Sequence, residues 1–536
     1  MNLFNKKILL SSTITLLILS GCGGGEGNVI SSSNSSLANY SSVNRDIAIN
    51  SSNQVFTIQN ASGLNRIKLN ISGHRDIYAI VTSHFPLQNI SISSNINSRT
   101  INLDNKSRVI DVNSSKTPIN VIKFRREVNT ILHQISDENI TKAKPLDINR
   151  LTRETNSFNF CVNMNSSHNC NASLNASIVK VIPNILTRNG SKNLIIWLED
   201  GNTQVSQSDI DKLANIFLKS GGDNDIYDWV TNIYGAEWAN DAQEADVNLI
   251  PNSNSINILL YNMNSSQLAG YFWAKDNFKK SKIPASNEKI MFYINTQLLR
   301  VNPKETYTTL GHEFQHMIHF YQRNVLKGIE DSTWYDELMS ESTEDLIATK
   351  IGYKGPRNVS PYDGSAGSYG NRGGRFPNFN RYNTDSITSW SNTTKDYSKV
   401  SAFGTYLLRN YNGATLLNKL MFSDNSDQSA IVEATGKNFK DIVRDWGSAV
   451  ILSDKTNAPN RLKYNFGDFK YTQFNGITYS LGSINFFNYI PNPSYNMVKV
   501  LNNNANLYYK VGSNINGNVV VNVNIEKGGD ITIISK

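Results

Sequence analysis

Between Gln54 and Val128 the chain alternates apolar and polar residues in short runs. Val55-Phe56-Thr57-Ile58, Ile67-Lys68-Leu69-Asn70-Ile71 and Ile77-Tyr78-Ala79-Ile80-Val81 are the clearest, with polar turn residues between them. A period of two puts alternate side chains on one face, so these runs predict a small antiparallel β domain over 54–140. The same alternation returns after Arg461, as in Val519-Val520-Val521-Asn522-Val523-Asn524-Ile525, and predicts a second small β domain over 461–536. The stretch between them, 150–460, reads differently. Ile178–Ile182, Asn193–Leu198, Ile256–Asn262 and Lys289–Asn295 are strand-like, and Ser208–Leu218 is helix-like. Leu310, Phe314, Met317, Ile318 and Tyr321 recur at helical spacing, behind Asn302-Pro303, a cap followed by proline at the first helical position. A second helix is expected from the capping residues near Asp331 to Ala348, stopping near Gly352. Tyr397–Tyr411, Ala414–Met421 and Phe439–Leu452 predict three more. Gly355 to Asp385 has little periodicity and reads as a long loop rimming a cleft.

A chain of 536 residues exceeds one core. Its formal charge of +8 includes Lys6 and Lys7 and is accompanied by no basic cluster, so no nucleic-acid partner is expected. Residues 1–21 read as an export signal: Lys6 and Lys7, then an apolar stretch from Ile8 to Leu19 too short to span a bilayer. Leu19-Ser20-Gly21-Cys22 resembles a lipobox, which makes Cys22 the lipidated first residue of a protein anchored to the bacterial membrane or cell surface. The Gly, Ser and Asn-rich residues 22–53 cannot build a core and read as a flexible tether. Of three cysteines, Cys161 and Cys170 remain as a pair. Outside the cytoplasm such a pair is expected to be a disulfide, with a small metal site including His168 as the rival.

The chemistry concentrates in Gly311-His312-Glu313-Phe314-Gln315-His316. Residues i and i+4 share a helix face, so His312 and His316 can direct two imidazoles at one metal ion. Glu313 sits beside that point, where a carboxylate can take a proton from an activated water. A hydrolytic zinc site needs a third protein ligand and an open position. The metzincin route fails, because His319 and Gln322 stand where glycine and histidine would be required. The remaining route is a carboxylate on the next helix, where Glu337, Glu341, Glu344 and Asp345 are available. Glu337 follows His316 with twenty residues between, a gap that fits a helix end, a turn near Gly328 and an antiparallel return. His319 is read as a packed or hydrogen-bonded histidine, since a fourth protein ligand would close the site to water.

Trp334-Tyr335-Asp336-Glu337 resembles the third-ligand helix of the gluzincin peptidases. With Leu259-Leu260-Tyr261, Gly270-Tyr271-Phe272-Trp273, Phe292-Tyr293-Ile294 and Asp396-Tyr397, the chain from Phe158 to Asp454 resembles the hyicolysin family of secreted zinc peptidases. The resemblance implies an α+β zincin-type domain with His312, His316 and Glu337 on zinc and Glu313 as base. It also implies that Glu341 orients a histidine ligand, and that a Tyr or His on the downstream part stabilises the oxyanion, with Tyr397 first and Tyr406 behind it. Such folds hold substrate along an edge strand, for which Ile256–Asn262 or Lys289–Asn295 could serve. The expected function is a zinc-dependent endopeptidase acting on extracytoplasmic proteins or peptides. The rival is a surface adhesin or binding lipoprotein that keeps the scaffold without turnover, and an intact Glu313 argues against it. No internal repeat is evident.

Overall fold

The computed structural model describes residues 43–96, 119–132, 156–265, 268–353, 375–488 and 497–536. The export signal, Cys22, residues 22–42 of the expected tether and most of the 355–385 loop lie outside these residues, whereas Val43–Ile49, expected in the tether, form a strand. Among the described residues no helix is long and apolar enough to cross a membrane.

The middle of the chain is built on a six-stranded sheet. Its strands are β4 (Ser157–Met164), β5 (Cys170–Thr187), β6 (Gly190–Glu199), β7 (Ser255–Tyr261), β8 (Gly270–Phe272) and β9 (Met291–Asn295), in spatial order β4-β5-β6-β7-β9-β8. β6, β7 and β9 run parallel, and β8 returns antiparallel against β9. β7 and β9 are buried on both faces, which explains their unbroken apolar runs. Neither is therefore the edge strand expected from the sequence. That place belongs to β8, whose three residues are too short to show a period. Cys161 and Cys170 are joined, Cα atoms 5.7 Å apart, and tie β4 to the start of β5. His168, inside the loop, instead sets its ring edge-on to Phe124 and lies 3.6 Å from Glu127.

The helices Pro303–His319 and Thr333–Ile347 pack beside this sheet and are joined through a π-helical turn at Phe320–Val325 and a left-handed Gly328. A Cβ on Gly311 would collide with the Ile347 side chain, so glycine there permits the close approach of the two helices. Helices Thr394–Asn410, Ala414–Phe422 and Phe439–Ile451 follow close to expectation. The hairpin β10 (Lys470–Phe474) and β11 (Ile477–Leu481) places Ile477, Tyr479 and Leu481 in the same core, so this part extends past the expected boundary at 460.

The ends of the chain differ from the expected pair of small β domains. β1 (Val43–Ile49), β2 (Gln54–Ser83), β3 (Leu87–Ser94), β12 (Met497–Leu501) and β13 (Ala505–Ser535) form one sheet, ordered β1-β2-β13-β3-β12. Val519–Ile525 pairs with Gly63–Leu69, and Ile531–Ser535 slots between Gln54–Ile58 and Ile77–Val81. Alternation identifies each strand but not its partner, which here lies at the other end of the sequence. Ile67, Leu69, Val521 and Val523 form this sheet's own core, whereas Tyr78, Ile80, Tyr508 and Ile534 join the core of the six-stranded sheet and its helices. The region read as β to residue 140 also contains a helix, Ile119–Leu132, whose Val121, Phe124, Val128 and Ile131 are buried at helical spacing.

Candidate metallopeptidase centre

Asn302 caps the motif helix, its side chain accepting from the Glu305 N–H, with Pro303 in the first turn. From that fixed start the helix carries His312, Glu313 and His316, all nearly inaccessible, to the end of the sheet. His312 Nε2 and His316 Nε2 face each other at 3.1 Å. Glu337 Oε2, from the antiparallel ligand helix, lies 3.2 Å from the first and 3.5 Å from the second. Three donors around a tetrahedral ion with bonds of about 2.0–2.1 Å stand about 3.3–3.4 Å apart, so this triangle fits such an ion. The electrostatics agree. Burial alone would lower the His312 pKa, but Glu337, Glu313 and Glu341 outweigh it and hold it above its usual value. A site that attracts a proton so strongly attracts a cation too.

Outside the triangle the ligands are held by other carboxylates. His316 Nδ1 is 2.8 Å from Asp336 Oδ1, and the Ser340 hydroxyl is 3.1 Å from the same nitrogen. His312 Nδ1 lies 2.9 Å from Glu344. The residue expected to orient a histidine, Glu341, instead makes a bidentate pair with Arg375 at 2.6–3.1 Å. Glu341 and Glu344 do cluster with His312, but the carboxylate nearest a His312 ring nitrogen outside the triangle is Glu344. Asp336 and Arg375 were not singled out by sequence. Asp336 is adjacent to Glu337 and could have been found by asking which carboxylate reaches the outer nitrogen of each histidine. Arg375 lies within the stretch Gly355 to Asp385 read as a loop, where it instead opens the short helix Arg375–Arg381, and it carried no signal.

Glu313 Oε2 accepts the backbone N–H of Phe272 at 2.8 Å, which ties the motif helix to the edge strand β8. His319 stays out of the triangle. Its Nε2 is 3.0 Å from Asp331 and its Nδ1 3.3 Å from Asp336. Burial would raise the Asp331 pKa, but hydrogen bonds from His319 and Arg323 bring it below the usual carboxylate value. Tyr397 is buried with its ring 4.9 Å from Trp390 and the Arg375 guanidinium 5.2 Å above it. The Tyr406 hydroxyl donates to the Arg461 carbonyl at 2.9 Å, which places it in the core. Beside His316 lies a cavity of about 500 Å³ walled by Phe272, Phe320, Trp334, Asp336 and Trp390 among others.

Two histidines four apart on one helix, a carboxylate from its antiparallel neighbour and a glutamate tied to the edge strand define a metallopeptidase centre. The peptidase M30 family model, that of the hyicolysins, matches residues 175–489, more than half of the sequence. The chain belongs to that family. It is also similar to the neutral metalloprotease ShpI of Staphylococcus hyicus, 29% identical over 115 residues. That match covers 19% of this chain and 26% of the relative, so the chain spans about a quarter of the curated protein's length.

Proposed function

We propose that this metallopeptidase is a zinc endopeptidase that cuts extracytoplasmic proteins or peptides. The observation that carries the reading is the 3.1–3.5 Å triangle of His312 Nε2, His316 Nε2 and Glu337 Oε2 with Glu313 next to it. Neutral imidazoles and one carboxylate are a donor set that suits zinc. Zinc held by His312, His316 and Glu337 would supply Lewis acidity for the scissile carbonyl and for a water molecule. Glu313, held by the Phe272 N–H, takes a proton from that water and returns it to the leaving nitrogen. β8 offers an extended backbone for a substrate strand to lie along. Tyr397, next to Arg375 and Trp390, is the proposed oxyanion donor. Metal analysis and cleavage of unstructured protein by parent and Glu313→Gln test this. Zinc in both with turnover in the parent alone supports it. Zinc in both with turnover in neither would favour the adhesin reading.

Localisation rests on the leader. Cys22 is proposed as the lipid attachment site, and lipid labelling with membrane fractionation of parent and Cys22→Ser checks it. An unlabelled parent would remove the anchor.

A further inference from the structure

The cavity beside His316 has a charge pattern that the metal centre does not require. Its walls include three carboxylates, Glu330, Asp331 and Asp336, and among the described residues no lysine or arginine. Asp331 is already neutralised by Arg323, which donates to it from Nη2 at 2.9 Å. Asp336 is engaged by His316 and His319. Glu330 is exposed on the loop before the ligand helix, and no cation stands against it among the described residues. The other walls include the aromatic rings of Phe272, Phe320, Trp334 and Trp390, and His316. A long side chain with an apolar stem and a cationic head matches this combination of aromatic and acidic walls. An acidic side chain would meet the Glu330 carboxylate instead.

Val128, from the helix Ile119–Leu132, also contributes to the cavity wall, although this helix precedes the family-matched region.

Building on the peptidase reading above, we propose that this cavity is the specificity subsite and takes a lysine or arginine side chain next to the scissile bond, with Glu330 as the specificity-determining residue. Peptides identical except for Lys, Met or Glu at each position around the scissile bond, assayed with zinc-loaded full-length protein, provide the test. One position is expected at which Lys exceeds Glu about tenfold in kcat/KM, the scale of a partly desolvated ion pair with cation–π support. Glu330→Gln should cut that ratio to about a third, and Glu330→Lys should reverse it. Equal rates at every position, or a ratio unchanged in Glu330→Gln, would overturn the assignment. Binding of the same peptides to zinc-loaded Glu313→Gln, read by tryptophan fluorescence, is independent of turnover. Tighter binding of the Lys peptide without cleavage by the parent would sink the peptidase reading and leave the cavity's preference standing. Cleavage without any preference would do the reverse.

Discussion

Four carboxylates surround two histidines, and distance separates their roles. Glu337 alone closes the donor triangle, so Glu337→Ala should leave mostly metal-free, inactive protein. Asp336 and Glu344 stand against the outer nitrogens of His316 and His312, so their alanine variants should keep the fold and lose zinc affinity about 10–100-fold. Glu341→Ala acts differently: it strands the buried Arg375 guanidinium and should lower the melting temperature more than the zinc affinity. Zinc titration and circular dichroism on the four variants separate these outcomes. Loss of zinc in Glu341→Ala with full retention in Glu337→Ala would shift the assignment by one helical turn. The meeting of His312 and His316 was legible because spacing on a helix is geometry, while Glu337, on the next helix, was expected from its gap and from the family resemblance and is brought to the same point. The outer contacts were not legible, because Glu341 and Glu344 share a face and only the position of Arg375, from a distant helix, tells them apart.

Elements carry the next level. The ligand helix is wedged between the motif helix and Thr394–Asn410, and glycines mark both contacts. Gly404 faces Leu338 and Ser342 on the ligand helix as Gly311 faces Ile347. Overpacking a close contact costs about 1–3 kcal/mol, so Gly311→Val should lower stability by that amount and displace His312 relative to Glu337. A thermal melt with a zinc titration checks both effects. A variant with parent stability and affinity would show that the helices have room to separate. The disulfide acts on one hairpin. Closing a loop of sequence separation 9 is worth about 2–3 kcal/mol in the chain-entropy description, so Cys161→Ser with Cys170→Ser should lose about that much stability. The sequence located half of the described α-helices within a few residues, the longer ones whose burial on one face writes the 3.6 period into the chain, and missed others such as Ile226–Tyr234 and Asp427–Thr435. It failed for β8, where three residues cannot display a period, and for Ile119–Leu132, whose apolar spacing lay inside a region read as strands.

At the scale of the molecule the two ends are one structure. Removing residues 505–536 would take away the strand that pairs along β2 from Gln54 to Ser83. Such a truncation should expose the N-terminal strands to limited proteolysis and should unsettle the helix Phe439–Ile451, whose Val443 carbonyl accepts from Asn506. Protection of residues 54–94 equal to the parent's would show that they fold without the C-terminal strand. Strand identity at both ends was readable from alternation, whereas pairing was not, because nothing in a period of two says which strand lies alongside.

That pairing has a consequence in time. Thr82 donates to Asn506, 424 residues further along. A ribosome adds about 5–20 residues per second, so the early strands wait for tens of seconds with open edges before their partner exists. Unpaired strand edges are where chains stick to one another. Newly made protein therefore passes through an obligatory vulnerable interval, and holding the first ninety or so residues apart until synthesis ends becomes a requirement on whatever escorts this chain.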